Sequence, residues 1–230
     1  MYATAAINST YRDAPAINAA MGRVYFHMML AVLTSMVVSM GVASSPGLMQ
    51  FLFGTWVKWL VIFAPLVAVF GVTMALAANP PKPVAVGLLH VFAALMGLSF
   101  ATIFVVYTMG SIVSAFMGGA ILFGVMSFYG YFTRRSLDSM GRFMFVGLIA
   151  IVIASIVNLF IGSTVMQMVI SAIAIIVFLG LTAYDTQQIR ESVSLEDASG
   201  TVEVVGALTL YLDFINLFLS LLQLLGGKRE

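Results

Sequence analysis

Two aspartates stand where the surrounding sequence would otherwise dissolve in lipid: Asp185 in "VFLGLTAYDTQQIR" and Asp213 in "VVGALTLYLDFINLFLSLLQLL". An acid inside a bilayer is costly and by default marks a functional site, such as a proton relay or part of an ion path. The spacing of the two adds to this. A polar turn, "SVSLEDASGTVE" (Ser192–Glu203), separates them, and Ser199–Gly200 lies midway between the acids. In an antiparallel helical hairpin, residues equidistant from the tip share one depth. Fourteen residues at about 1.5 Å each put both carboxyls roughly 20 Å from the turn. Two carboxylates that face each other in a low dielectric cannot both ionise cheaply, so the pair is expected to share a proton and titrate as a unit. The alternative is that each acid bonds separately to a neighbouring hydroxyl.

Such chemistry needs a membrane, and the composition supplies one. Of 230 residues, 62% are hydrophobic and only 8% charged, against roughly 25% charged in soluble domains. Uncharged runs extend over Val24–Val57, Trp59–Pro81, Pro83–Thr133, Phe143–Tyr184 and Phe214–Gly227, and a spanning helix needs roughly 20 apolar residues. The expected fold is therefore an all-α polytopic membrane protein. Seven transmembrane helices are placed at about 22–44, 58–78, 84–106, 111–132, 142–162, 165–189 and 204–225. Continuous rather than alternating hydrophobicity excludes a porin-like barrel.

The longest runs divide where glycine, serine and proline interrupt them. "YTMGS" (Tyr107–Ser111) and "IGST" (Ile161–Thr164) mark two breaks, and the successive prolines of "NPPKP" (Asn79–Pro83) stop a helix outright. "WVKWL" (Trp56–Leu60) has the Trp and Lys mixture of a membrane interface. The chain thus divides into a polar N-terminal segment at 1–21, a single transmembrane domain at 22–227 and a short basic tail at 228–230. A net charge of +1 offers no surface to nucleic acid, and the absence of cysteine excludes disulfides and thiolate metal sites.

Basic residues orient the chain. With a cytoplasmic N-terminus, Arg12, Arg23, Lys82, Arg134, Arg135, Arg142 and Arg190 lie inside, while Lys58, Lys228 and Arg229 lie outside. The C-terminal "GGKRE" goes against the bias, and a re-entrant last segment would bring it inside. The length of 204–225 instead fits a full crossing. Gly206, Thr209, Asp213, Asn216, Ser220 and Gln223 recur in that segment at steps of three and four, making a polar stripe down one helical face. Lipid cannot satisfy such a stripe, so protein or water must. It serves either a functional path or a packing seam of small and polar side chains. Ser111, Ala115 and Gly119 form a second row, of small residues, which reads as a close helix contact.

"GLTAYDTQQI" followed by "GALTLYLDFINLFLSLL" resembles the signature of the Bax inhibitor-1 family (transmembrane Bax inhibitor motif proteins), in particular its bacterial branch. "VYTMGSI" and "FGVMSFYGYFTRRSL" are similar to the same branch, so the resemblance covers the third to seventh helices well and the first two weakly. It implies seven helices with the last one central and wrapped by the other six, which favours full crossing. It also implies a pH-sensitive calcium leak in which two aspartates, matching Asp185 and Asp213, act as a proton-controlled latch. The expected location is a bacterial inner membrane. One departure stands out. Relatives place on the second helix an arginine that pairs with the sixth-helix aspartate, and this chain has no arginine between Arg23 and Arg134. Tyr184, Tyr211 and Asn216, with Thr209 and Ser220, are the candidate supporting groups.

The first functional reading is thus a calcium-permeable leak that opens as pH rises and the shared proton leaves. The bilayer and calcium ions are its partners, and it has no cofactor. Two carboxylates with Thr209, Asn216 and carbonyls would make a weak calcium site, and weak binding suits an ion that must leave. The alternative is a non-conducting modulator of membrane-protein quality control or stress response, acting on a membrane-protein partner such as a protease. Enzymatic activity is not expected. The residues before Asp213 are Leu210-Tyr211-Leu212, not the G-x-G of intramembrane aspartyl proteases, and "GLSFA" (Gly97–Ala101) lacks the second glycine of a serine-nucleophile motif.

Overall fold

The computed structural model describes residues 14–194, 200–227 and 229. The N-terminal residues 1–13 and the expected hairpin tip at 195–199 lie outside the described residues. The helices are α1 (Ala14–Ala43), α2 (Pro46–Phe53), α3 (Val57–Ala77), α4 (Lys82–Phe100), α5 (Ile103–Val106), α6 (Met109–Phe132), α7 (Asp138–Ile161), α8 (Thr164–Ser194) and α9 (Thr201–Leu225). Among the described residues, seven helices are long and apolar enough to cross a membrane, α4 and α5 together making one of them. The chain is an all-α polytopic membrane protein.

The breaks fall where the sequence placed them, for identifiable reasons. Gly162 ends α7 in a left-handed conformation (φ 68°), which glycine adopts without steric penalty. Thr108 caps α6 by accepting from the Ser111 N–H. Two details differ from expectation. α1 begins at Ala14 rather than near residue 22, because Pro15 suits a first helical turn and the alanine-rich stretch after it continues the helix. The run Val24–Val57 also contains a short extra helix, α2, started by the Ser45 side chain and Pro46.

One compact unit comprises the described residues up to Val106 together with Ile189–Tyr211. Here α1 packs closely on α4. Gly97 has no room for a Cβ, which would lie 2.7 Å from the Ser35 carbonyl, and the Ser35 hydroxyl donates to the Ala93 carbonyl at 2.7 Å. Pro65 lies inside α3 and can give no N–H to the Val61 carbonyl. The Ser99 hydroxyl of α4 donates to that carbonyl instead, at 2.6 Å. A proline is tolerated in a spanning helix when a neighbouring helix satisfies the group it frees.

The other unit comprises Tyr107–Gln188 and the described residues from Leu212 onward. The small-residue row of α6 meets α9 here: Gly119 approaches the Phe218 Cα closely enough that a Cβ would lie 3.7 Å from it. Phe116 and Phe123 pack edge-on against Phe214 at 5.3 and 5.7 Å between centroids, fixing the turn of α9 that carries Asp213.

α9 is unlike the other spans. Its apolar window is 72% buried, against 39% for α8 and 6% for α7. It also runs unbroken for 25 residues. A re-entrant segment would need a break to turn back, whereas a helix of this length exceeds the roughly 30 Å hydrocarbon core. The buried positions on α9 are tight. Leucine at Gly206, where a Cβ would already meet Ile189 at 2.8 Å, or at buried Ser220 is expected to destabilise the fold by roughly 1–3 kcal/mol. Thermal unfolding in detergent measures this, and unchanged stability in both variants would contradict the packing described.

Candidate functional site

The site is built from the turn of α8 that carries Asp185 and the turn of α9 that carries Asp213. The α8 turn is held at nearly every position. Ala183 lies against Gly130 of α6, so closely that a Cβ on Gly130 would overlap the Ala183 carbonyl. The Tyr184 ring covers Gly141 of α7. Thr186 shares a buried hydrogen bond of 2.9 Å with Ser127. Gln187 accepts from the Leu137 N–H at 2.8 Å and donates to the Arg135 carbonyl at 3.0 Å, tying α8 to the α6–α7 connection. Ala183, Tyr184, Thr186 and Gln187 are therefore four fixings to neighbouring elements around one aspartate.

That aspartate meets the second. The Asp185 and Asp213 carboxyls lie within hydrogen-bonding reach of each other. Asp213 is buried, 4% exposed, and its Oδ2 meets no donor among the described residues. A buried carboxylate oxygen is normally satisfied. Two ionised carboxylates supply only acceptors, so neither can satisfy the other until one of them is protonated.

The supporting residues fare differently. The side chains of Thr209, Asn216 and Ser220 each donate to a carbonyl of their own helix, those of Val205, Leu212 and Asn216, at 3.2, 2.8 and 2.7 Å. Tyr211 is fully buried against Phe92, and its hydroxyl is 2.7 Å from Ser35 Oγ. Tyr184 serves as packing on Gly141. Among the described residues no three His, Cys, Asp or Glu side chains cluster, so the two carboxylates stand without a third such ligand. Of the histidines, His90 Nδ1 is 2.9 Å from the Thr34 hydroxyl, the hydrogen-bonded packing role common for intramembrane histidine.

Sequence reasoning missed a third acid. Glu203, in the first turn of α9, is buried yet ionically paired: Arg23 of α1 reaches it through Nε and Nη2 at 2.6–3.0 Å, and Lys82 of α4 at 2.8 Å. Its charge also favours the positive end of the helix dipole. Thr201 adds a bond to the Pro80 carbonyl at 2.9 Å. The pairing fixes the start of α9 to α1 and α4. The acid before the last apolar run, Arg23 and Lys82 were all visible in the sequence. Nothing local, however, connects residues so far apart.

A model of the family described as "Inhibitor of apoptosis-promoting Bax1" matches residues 17–230. The chain belongs to the Bax inhibitor-1 family. It is 40% identical over 214 residues to the "Inner membrane protein YbhL" of Escherichia coli K12, covering 91% of this chain and 92% of that protein. An uncharacterised protein of Rickettsia prowazekii is 37% identical, covering 90% of this chain and 89% of its own. One from Borreliella burgdorferi is 34% identical, covering 93% and 94%. The match includes α1 and α3, where the signature strings alone carried the resemblance weakly.

Proposed function

We propose that this Bax inhibitor-1 family protein is a proton-regulated calcium leak of the bacterial inner membrane, gated by Asp185 and Asp213. The observation that supports it most is buried Asp213, whose Oδ2 meets no donor among the described residues, beside a second carboxyl on the neighbouring helix. With one proton between them, the acids hold α8 and α9 together and carry a single negative charge, whose oxygens are engaged with each other rather than with a cation. When the proton leaves, two like charges repel in a low dielectric and present oxygen ligands suited to calcium. Two carboxylates make a weak site, as conduction requires. Flux therefore rises as pH rises through the titration of the pair. Purified protein in liposomes tests this without any partner: calcium entry that grows from acidic to alkaline buffer is expected. Absence of flux at every pH, together with capture of a membrane-protein partner, would instead support a non-conducting modulator.

The proposed orientation has the N-terminus in the cytoplasm and the C-terminus outside, following the excess of basic residues on one side and the odd number of spans. A reporter fused after Arg229 is expected to be active outside the cytoplasm; cytoplasmic activity would overturn the orientation.

A further inference from the structure

The face of α9 that carries Asp213 continues past Asn216 and Ser220 to Gln223, about 15 Å further along the helix. There α8 and α9 are joined a second time, through Gln223, which is exposed near the end of α9. Gln223 Oε1 accepts from Gln167 Nε2 at 2.6 Å and from the Ser171 hydroxyl at 3.0 Å, both on α8. Gln167 Oε1 in turn accepts from Asn158 Nδ2 of α7 at 3.2 Å, and Asn158 Oδ1 accepts from the Ser163 N–H at 3.1 Å. Asn158 and Ser171 are buried. Three helices are thus joined by a relay of amides that ends on one carbonyl oxygen.

We infer that this amide clasp is a second gate of the leak, independent of pH; the inference rests on the calcium reading above. Its position supports this: the clasp closes the same α8–α9 seam, on the same face of α9, at the helix end. So does its chemistry. None of its groups titrates, so protons that govern the aspartates leave it unchanged. While both donors point at Gln223 Oε1, that oxygen is occupied. When the clasp parts, the amide and hydroxyl oxygens of Gln223, Gln167 and Ser171 become neutral ligands of the kind calcium accepts alongside carboxylates. A purely structural role, as polar glue between helices, would use the same bonds, and flux distinguishes the two.

The test is calcium entry into liposomes across a pH series for the wild-type chain, Gln223→Ala, Gln167→Ala and Ser171→Ala. Ser171→Ala, which loses one hydrogen bond of the clasp, is expected to raise flux roughly three- to tenfold at every pH; Gln223→Ala and Gln167→Ala, which each lose two, are expected to raise it by at least as much, all with the wild-type pH midpoint retained. If Gln223→Ala does not fold, the other two, which each remove one donor and keep Gln223, carry the same expectation. Wild-type flux in the folded variants overturns the clasp while leaving the aspartate gate standing. A moved midpoint without increased flux also overturns it, since the clasp would then act through the aspartates. No flux in the wild type at any pH overturns the calcium reading, and the clasp falls with it.

Discussion

Calcium flux through the Asp213→Asn variant is expected to be flat across pH, and the same holds for Asp185→Asn. A single shared proton can change the open population by at most about tenfold per pH unit, and either substitution removes half of the site that holds it. The two variants should nevertheless differ in basal flux. Asp213 is buried and Asp185 is only partly so. An asparagine at 213 must find its partner in the remaining acid or go without, whereas one at 185 has access to its surroundings. The closed state is therefore expected to persist better in Asp185→Asn. A single variant that keeps the wild-type midpoint would show two independently titrating acids, and the shared-proton gate would be wrong.

Alanine at Gly130 is expected to be the most damaging of the glycine-to-alanine changes. The added Cβ would overlap the Ala183 carbonyl and lie 2.8 Å from its carbon, and backbone cannot swing aside as a side chain can. α6 and α8 must then move apart beside the turn that carries Asp185. The expected loss is about 3 kcal/mol, the upper part of the usual range for overpacking, with an altered pH response in whatever protein folds. The same helix contains the control. A Cβ at Gly124 meets nothing within 4 Å, so Gly124→Ala should be neutral or stabilising by up to about 1 kcal/mol through helix propensity. Thermal unfolding of both variants in detergent measures the contrast. Equal stability would mean that α6 and α8 do not approach as closely as described.

The spans could be read from the sequence because lipid imposes a uniform requirement: long apolar runs, broken only where glycine, serine or proline frees the backbone. The aspartate pair was legible for a different reason. Depth in a hairpin follows from counting residues on either side of a turn, so Asp185 and Asp213 could be matched without knowing anything else about the fold. Glu203 could not be found that way, because its partners Arg23 and Lys82 come from other helices and only packing unites them. The polar stripe left its role open between a path and a packing seam. Its periodicity was real, but periodicity cannot tell a hydroxyl that faces a path from one that bonds the carbonyl four residues back, as Thr209 and Ser220 do. The early start of α1 was hidden because the stretch before residue 22 is rich in alanine, with Pro15 and Asn18 in it, and so lacks the strong hydropathy that marks a span.

The central claim is that Asp185 and Asp213 hold one proton between them. Infrared difference spectra between acidic and alkaline buffer, taken on protein with isotope-labelled aspartate, report the carboxylic-acid C=O stretch directly. One labelled acid band that disappears at alkaline pH in the wild type, and that moves or vanishes in both Asp185→Asn and Asp213→Asn, is the result expected. A band that keeps its wild-type position and midpoint in either single variant would contradict the shared proton.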